Sequence, residues 1–269
     1  MMLFNNEPTP TLMPAVCQLA REAGDKIMEI YDQEFEVMRK ADLTPLTAAD
    51  MAAHRCIERG LRELTPDLPV LSEESEHIPF SERGRWRRYW LVDPLDGTRE
   101  FIKKNGEFTV NIALIDEHQP IMGVIYAPAI GLLYMASRGQ GSWRQKATQQ
   151  VPELIHVNAR KRHPVIAGSR SHGSERFQSM LSKIGQHRLI SMGSSLKFGL
   201  VASGEADIYP RLGPTSEWDT AAAQCIVEEA GGRVVDLNFN PLRYNRRESL
   251  LNPDFLVLGG LKRDWSAIF

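Results

Sequence analysis

Apolar residues recur at spacings of three and four near the start of the chain: Leu12, Val16, Leu19, Ala23, Ile27 and Ile30. That period puts them on one face of a helix and predicts one over residues 11–33. A second stripe, Met51, His54, Ile57, Leu61 and Leu64, follows "TAAD" at 47–50. This is an S/T-x-x-acid helix start with Asp in place of Glu, so a second helix is predicted from Thr47. The pattern then shortens. "LPVLSEES" (68–75) reads as a short strand running into acids, and an Arg-rich connection leads to an apolar strand at Trp90–Val92. "FTVNIALID" (108–116), "IMGVIYAP" (121–128) and "GLLYMAS" (131–137) are β-like runs with short turn-rich links, an antiparallel meander.

The polar stretch "RQKATQQVPELIHVNARKRH" (144–163) is the natural place for a boundary, because the rhythm changes beyond it. Strands at 164–168, 187–192, 206–210, 233–237 and 255–260 are interleaved with helices at Glu175–Ile184, Leu196–Ala202 and Trp218–Ala230. Runs of this kind indicate an α+β unit over residues 1–145 and an α/β unit over 146–269. No internal repeat or low-complexity tract interrupts either.

Composition narrows the function classes. Thirty-two basic residues against 34 acidic ones leave a net charge of −2, which supplies no electrostatic footprint for nucleic acid. The Arg-rich runs at Arg83–Arg88 and Ala159–His163 read as solvated surface. Three cysteines (Cys17, Cys56, Cys225), odd in number and with no CxxC, sit in apolar periodic segments, as expected of free thiols in a reducing compartment. The N-terminus has no basic start or apolar core of a signal peptide, and no segment has the apolar length to span a bilayer. A cytoplasmic protein is expected.

The stretch "WLVDPLDGTREF" (90–101) carries the chemistry. Pro and Asp-Gly are ordinary turn formers, but this turn ends an apolar strand and holds two acids. A calcium loop fails on spacing: such a loop needs oxygen ligands at positions 1, 3 and 5 and Glu at 12. Counted from Asp93, position 3 is Leu95 and position 12 is Lys104. An aspartyl-phosphate enzyme needs its second acid two residues after the first, whereas Asp93 and Asp96 are three apart. A magnesium-dependent phosphoryl-transfer site fits better. Two carboxylates can converge on hard cations across the turn, with the Leu95 carbonyl between them. Gly97 would let a backbone N–H approach a phosphate closely, and Thr98 offers a hydroxyl beside it. Further acids follow apolar runs or start helices: Asp50 in "TAAD", Glu73 and Glu74 in "SEES", Asp219 in "SEWDTAA". Singly, each would be unremarkable as a helix-start charge.

Taken together, "TAAD", "SEES", "VDPLDGTREF" and "WDTAAA" resemble the motifs of the inositol monophosphatase-like family of lithium-sensitive, Mg²⁺-dependent phosphatases. The longer stretches "RYWLVDPLDGTREFIKKNGEFTVNIALI", "SRSH", "GSSLKFGLVASGEADIYPRLGPTSEWDTAAAQ" and "PLRYNRRESLLNP" are similar to its bacterial 3′(2′),5′-bisphosphate nucleotidase branch, over nearly the whole chain. The resemblance implies the layered α-β-α-β-α sandwich of that family. It implies metal ligation by Glu73, Asp93, the Leu95 carbonyl, Asp96 and Asp219, with two or three Mg²⁺ ions and inhibition by Li⁺. Gly97 and Thr98 would hold the scissile phosphate through their N–H groups. Asp50 would take the Thr98 proton, so that the hydroxyl and Glu73 orient the attacking water. His172, Ser194, Lys197 and Arg211 would contact the nucleotide. His54 is read as packing, and Glu74 has no assigned role.

The implied reaction removes the 3′-phosphate of adenosine 3′,5′-bisphosphate, with 3′-phosphoadenylyl sulfate as a further substrate, in sulfur assimilation. The partner is therefore a small nucleotide bisphosphate, and family members are described as peripheral on the inner face of the membrane. Inositol monophosphate or fructose bisphosphate hydrolysis would use the same metal site. A haloacid dehalogenase-like phosphatase and an inactive nucleotide-binding regulator are the readings outside the family.

Overall fold

A computed structural model describes residues 9–31, 37–39, 45–158, 163–168 and 175–269. His172 and most of the second Arg-rich run lie outside them. The predicted first helix is α1 (Thr9–Tyr31) and the second is α2 (Ala48–Leu64); β1 (Val37–Arg39) and β2 (Pro45–Thr47) pair antiparallel between them. The apolar stripes of α1 and α2 meet: Val16, Leu19, Ala23 and Ile27 of α1 join Ala53, Ile57 and Leu61 of α2 in one core against a sheet.

That sheet has seven strands: β3 (Val70–Ser72), β4 (Arg88–Asp96), β5 (Thr109–Asp116), β6 (Gln119–Ala127), β7 (Leu132–Ser137), β8 (Ser142–Lys146) and β9 (Glu153–Ile155), in that order. β3 pairs parallel with β4, and the remaining neighbours are antiparallel. The meander is as expected, but it continues through the polar stretch, where β8 and β9 form. Both strands are short and carry mostly polar, partly exposed side chains, so neither forms an apolar run, which is why the pattern hid them. Short helices α3 (Phe80–Arg83) and α4 (Thr98–Ile102) flank β4; at four and five residues, neither is long enough for a periodic signal.

The second sheet runs in the order β11-β10-β12-β14-β13, from β10 (Val165–Gly168), β11 (Arg188–Ser191), β12 (Ile208–Arg211), β13 (Arg233–Asp236) and β14 (Phe255–Leu258). Its parallel pairs are β10 with β11 and with β12; β14 runs antiparallel to β12 and β13. Between the sheets lie α6 (Leu196–Ala202) and α7 (Glu217–Glu229), and α5 (Glu175–Ile184) covers the outer face of the second sheet. The layers are therefore α1/α2, sheet, α6/α7, sheet, α5, the α-β-α-β-α sandwich.

α7 is buried all round, from Thr220 through Val227, as a helix between two sheets must be. Its run of three alanines lets it sit close to the first sheet. A Cβ at Gly123 of β6 would come 2.2 Å from the carbonyl oxygen of Ala222, so this contact admits only glycine. One reading from the sequence needs correction. Arg83, taken as solvated surface, is 1% exposed. Its guanidinium bonds the Asn245 side chain and the carbonyls of Ile78, Arg247 and Glu248, tying α3 to the loop after β13.

Candidate active site

β4 does not end before the acids, as the apolar run alone suggested, but runs through them. Asp93 pairs with Asn111 and Asp96 with Thr109, so three steps along β4 oppose two along β5. The extra residue is a β-bulge. Side chains two apart on a strand share a face. Thr109 and Asn111 therefore point the same way, and the bulge brings Asp93 and Asp96 onto one side opposite them. Pro94 has no N–H to give a ladder and is tolerated at such an irregularity. The Leu95 N–H turns back onto the Asp93 carboxylate at 3.0 Å. Gly97 then takes φ 93°, a left-handed conformation that favours glycine, and Thr98 opens α4. The Thr98 hydroxyl lies 3.4 Å from the Leu95 carbonyl.

Parallel pairing of β3 with β4 sets Ser72 beside Val92, so Glu73 emerges next to Asp93; its N–H donates to the Val92 carbonyl at 3.1 Å. Asp219 arrives from the far side, in the first turn of α7, where its carboxylate accepts the Ser216 N–H at 2.9 Å. Carboxylate oxygens of Glu73, Asp93 and Asp219 all come within 4.8 Å of one another. Asp96 stands beside this trio, but one of its oxygens, Oδ2, is occupied. It accepts from the Ser194 hydroxyl at 2.5 Å, the Ser195 N–H at 2.7 Å and the Ser195 hydroxyl at 2.8 Å. Asp50, 2% exposed in the first turn of α2, adds a fourth negative charge acting on Asp93.

The electrostatics follow. Burial pushes Asp93 well above the usual carboxylate range, and Glu73, Asp96, Asp219 and Asp50 push it further. Asp219 is pushed up to about 8 by burial and then by Asp96 and Glu73. Like charges this close and this dry are tolerable only with protons or cations among them. Hard carboxylate oxygens with a backbone carbonyl nearby fit a hard divalent cation such as Mg²⁺.

The trio, with Leu95, Asp96, Gly97, Thr98 and Arg211, lines a cavity of about 570 Å³. A smaller one, about 160 Å³, adjoins it and adds Ser194, Ser195 and Lys197. Lys197 is buried with its amine on the carbonyls of Ser194 (2.7 Å) and Met192 (3.3 Å) and 5.2 Å from the Tyr209 ring; burial lowers it to about 8. Arg211, at the end of β12, bonds the Thr215 hydroxyl at 2.7 Å and the Pro214 carbonyl at 2.8 Å. His54 is buried on α2, with Nδ1 3.0 Å from the Ser72 hydroxyl, which fits its reading as packing. Thr109, Asn111 and Ser195 were not singled out from the sequence. For Thr109 and Asn111 a signal was available: two polar residues at alternate positions, hence on one face, of the otherwise apolar strand "FTVNIALI"; Ser195 carries none.

The inositol monophosphatase family model matches residues 10–262. A Shigella flexneri protein named 3′(2′),5′-bisphosphate nucleotidase CysQ is 52% identical over 248 residues, which are 91% of this chain and 99% of that protein. The protein of the same name from Aggregatibacter actinomycetemcomitans is 42% identical over 97% of each chain. Among solved structures, CysQ from Bacteroides thetaiotaomicron superposes with a TM-score of 0.82 at 42% identity, over 93% of this chain and 97% of that one. The extragenic suppressor protein suhB from Bartonella henselae gives 0.77 at 27%, over 93% and 94%. With the layered fold, the acid trio at the β4 bulge and these matches in agreement, the chain belongs to the inositol monophosphatase family.

Proposed function

We propose that this chain is a 3′(2′),5′-bisphosphate nucleotidase that hydrolyses the 3′-phosphate of adenosine 3′,5′-bisphosphate to AMP and phosphate, and also accepts 3′-phosphoadenylyl sulfate. The observation that carries the reading is the convergence of Glu73, Asp93 and Asp219 at the floor of the cavity, in a chain 52% identical to a protein of that name.

Phosphatases of this family are metal-dependent, and here Glu73, Asp93, Asp219, Asp96 and the Leu95 carbonyl would hold Mg²⁺, two or three ions at a time. Bound there, it supplies Lewis-acid polarisation of the phosphoryl group and neutralises charge on the leaving oxygen. The chain's own groups do the rest. The N–H groups of Gly97 and Thr98 hold the phosphate oxygens. Asp50, buried behind β4, takes the proton of the Thr98 hydroxyl, which with Glu73 orients a water for in-line attack. The Thr98 oxygen, its own proton passed to Asp50, takes one from the water; the water oxygen bonds phosphorus as the bond to O3′ breaks, and O3′ takes a proton from solvent to leave as the 3′-hydroxyl of AMP. His172, Ser194, Lys197 and Arg211 form the nucleotide side. In this division the first sheet with α1 and α2 carries most of the metal site, and the second sheet with its helices completes the substrate site.

Cys17, Cys56 and Cys225 are free thiols, which suits the cytoplasm. No helix among the described residues is long and apolar enough to cross a membrane. We infer a cytoplasmic enzyme with peripheral contact at the inner face of the membrane. The test of activity is phosphate release from adenosine 3′,5′-bisphosphate, inositol 1-phosphate and fructose 1,6-bisphosphate, each with and without Li⁺. The nucleotide should be turned over fastest and Li⁺ should suppress it; faster turnover of either sugar-type substrate overturns the reading.

A further inference from the structure

Ser195 joins three separated parts of the chain at one buried point. It is 2% exposed. Its N–H and hydroxyl both reach Asp96 Oδ2, at 2.7 and 2.8 Å, from the loop before α6. The same hydroxyl lies 2.9 Å from the Asp219 carbonyl in α7 and accepts from the Asn111 side-chain N–H of β5 at 3.0 Å. Ser194 before it adopts φ 49°, uncommon outside glycine, which sets two consecutive hydroxyls and an N–H on a single carboxylate oxygen. The Ser194 hydroxyl is in turn 2.7 Å from Thr109, across the bulge from Asp96.

An ionised carboxylate can ligate a cation through one oxygen or through both. The Ser194 hydroxyl, the Ser195 N–H and the Ser195 hydroxyl, which shares its one proton between Oδ2 and the Asp219 carbonyl, crowd Oδ2, so Asp96 offers an ion Oδ1. This matters for which cation fits. Mg²⁺ needs tight, nearly octahedral single-oxygen ligation, whereas Ca²⁺ takes six to eight oxygens and accepts two-oxygen carboxylates. We propose that Ser195 is a positioning residue that confines Asp96 to single-oxygen ligation and locks the β4 bulge to the first turn of α7, and that it thereby sets the preference of the site for Mg²⁺ over Ca²⁺. This rests on the metal-dependent reading above.

The test is calorimetric titration of the full, metal-stripped chain with Mg²⁺ and with Ca²⁺ in the absence of substrate. Removing groups that orient metal ligands commonly lowers affinity about 10–100-fold. Ser195→Ala should weaken Mg²⁺ by at least about tenfold while Ca²⁺ binding stays level or tightens, and Ser195→Thr, which keeps the hydroxyl, should restore the preference. Equal weakening of both ions, no change in either, or failure of the threonine to restore the preference would overturn the proposal. Should Ser195→Ala not fold, as judged by thermal unfolding in EDTA, Ser194→Ala removes a different donor from the same oxygen and is read identically. Activity is scored separately: a wild-type chain that releases no phosphate from adenosine 3′,5′-bisphosphate loses the nucleotidase reading, whereas the titrations judge Ser195 alone.

Discussion

Glu217 and Asp219 are two residues apart in the first turn of α7, yet they meet opposite surroundings. Glu217 accepts the Asn245 N–H at 2.7 Å, and the charges of Arg83 and Arg247 partly offset its burial, leaving it at about 7. Asp219 meets Asp96 and Glu73, and the largest side-chain charges acting on Asp93 are negative. Both clusters bury acids against the same helix end. The first brings its own cation, a guanidinium bonded on several sides, and is complete as folded. The second gathers carboxylates and leaves the compensating charge to come from outside. A buried acid whose charge is offset by cations within the fold is complete as it stands, and one that is not calls for a ligand.

The comparison can be broken most forcefully at Asp93. Asp93→Asn should lower phosphate release by about 10³-fold or more, since a cation site there supplies several kcal/mol to the transition state. Yet its unfolding free energy in EDTA should equal or exceed that of the wild type, because one of several repelling buried charges is gone. The mirror experiment is Arg83→Met. It weakens the positive charge that offsets Glu217 and leaves the Asn245 side chain and the carbonyls of Ile78, Arg247 and Glu248 without their donor, so urea denaturation should show a loss of about 3–5 kcal/mol. A small loss there would mean that the two clusters do not differ as described.

Lys197, the buried cation on the flank of the acid cluster, sharpens the contrast through pH. Its value is 10.5 when unperturbed and about 8 in the fold. Below about pH 8 the folded state therefore bears the full cost of a buried ammonium. Between about 8 and 10.5 the unfolded chain binds the additional proton, so stability rises with pH through that window. Denaturation at about pH 7 and about pH 10.5 should give the wild type a gain of about 3 kcal/mol relative to Lys197→Met, whose side chain does not titrate. The smallest effect is that of the ion itself. Mg²⁺ at one hundred times its dissociation constant should stabilise the wild type by about 2.7 kcal/mol. EDTA should reverse this, and Asp93→Asn should show little of it in thermal denaturation.

Much of this was legible before folding. The stripes of α1 and α2 have the helical period, so their existence and buried faces could be read from Leu19, Ile27, Ile57 and Leu61. The apolar runs of β5, β6 and β7 declared the meander, and the acids of "SEES", "DPLDGT" and "WDTAAA" marked the site by their company with apolar strand and helix starts. Less was visible where the chain leaves no period. β8 and β9 are short and half polar; α3 and α4 are barely one turn. Arg83 looked like one more surface arginine, because its partners Asn245, Arg247 and Glu248 lie more than 160 residues away.

By itself, the sequence determined which residues are acidic, which faces are apolar and the spacing between Asp93 and Asp96, because these are local properties of a chain with fixed side-chain periods. Tertiary structure alone decided that the spacing is a bulge, that parallel pairing carries Glu73 beside Asp93, and that α7 returns to deliver Asp219 to the same point. It also decided that Ser195, unnoticed in "GSSLK", stands between Asp96 and Asp219. Those facts depend on strand register and on the packing of elements far apart in the chain. No local pattern encodes them, since the energy that selects them comes from contacts that exist only once the layers have closed.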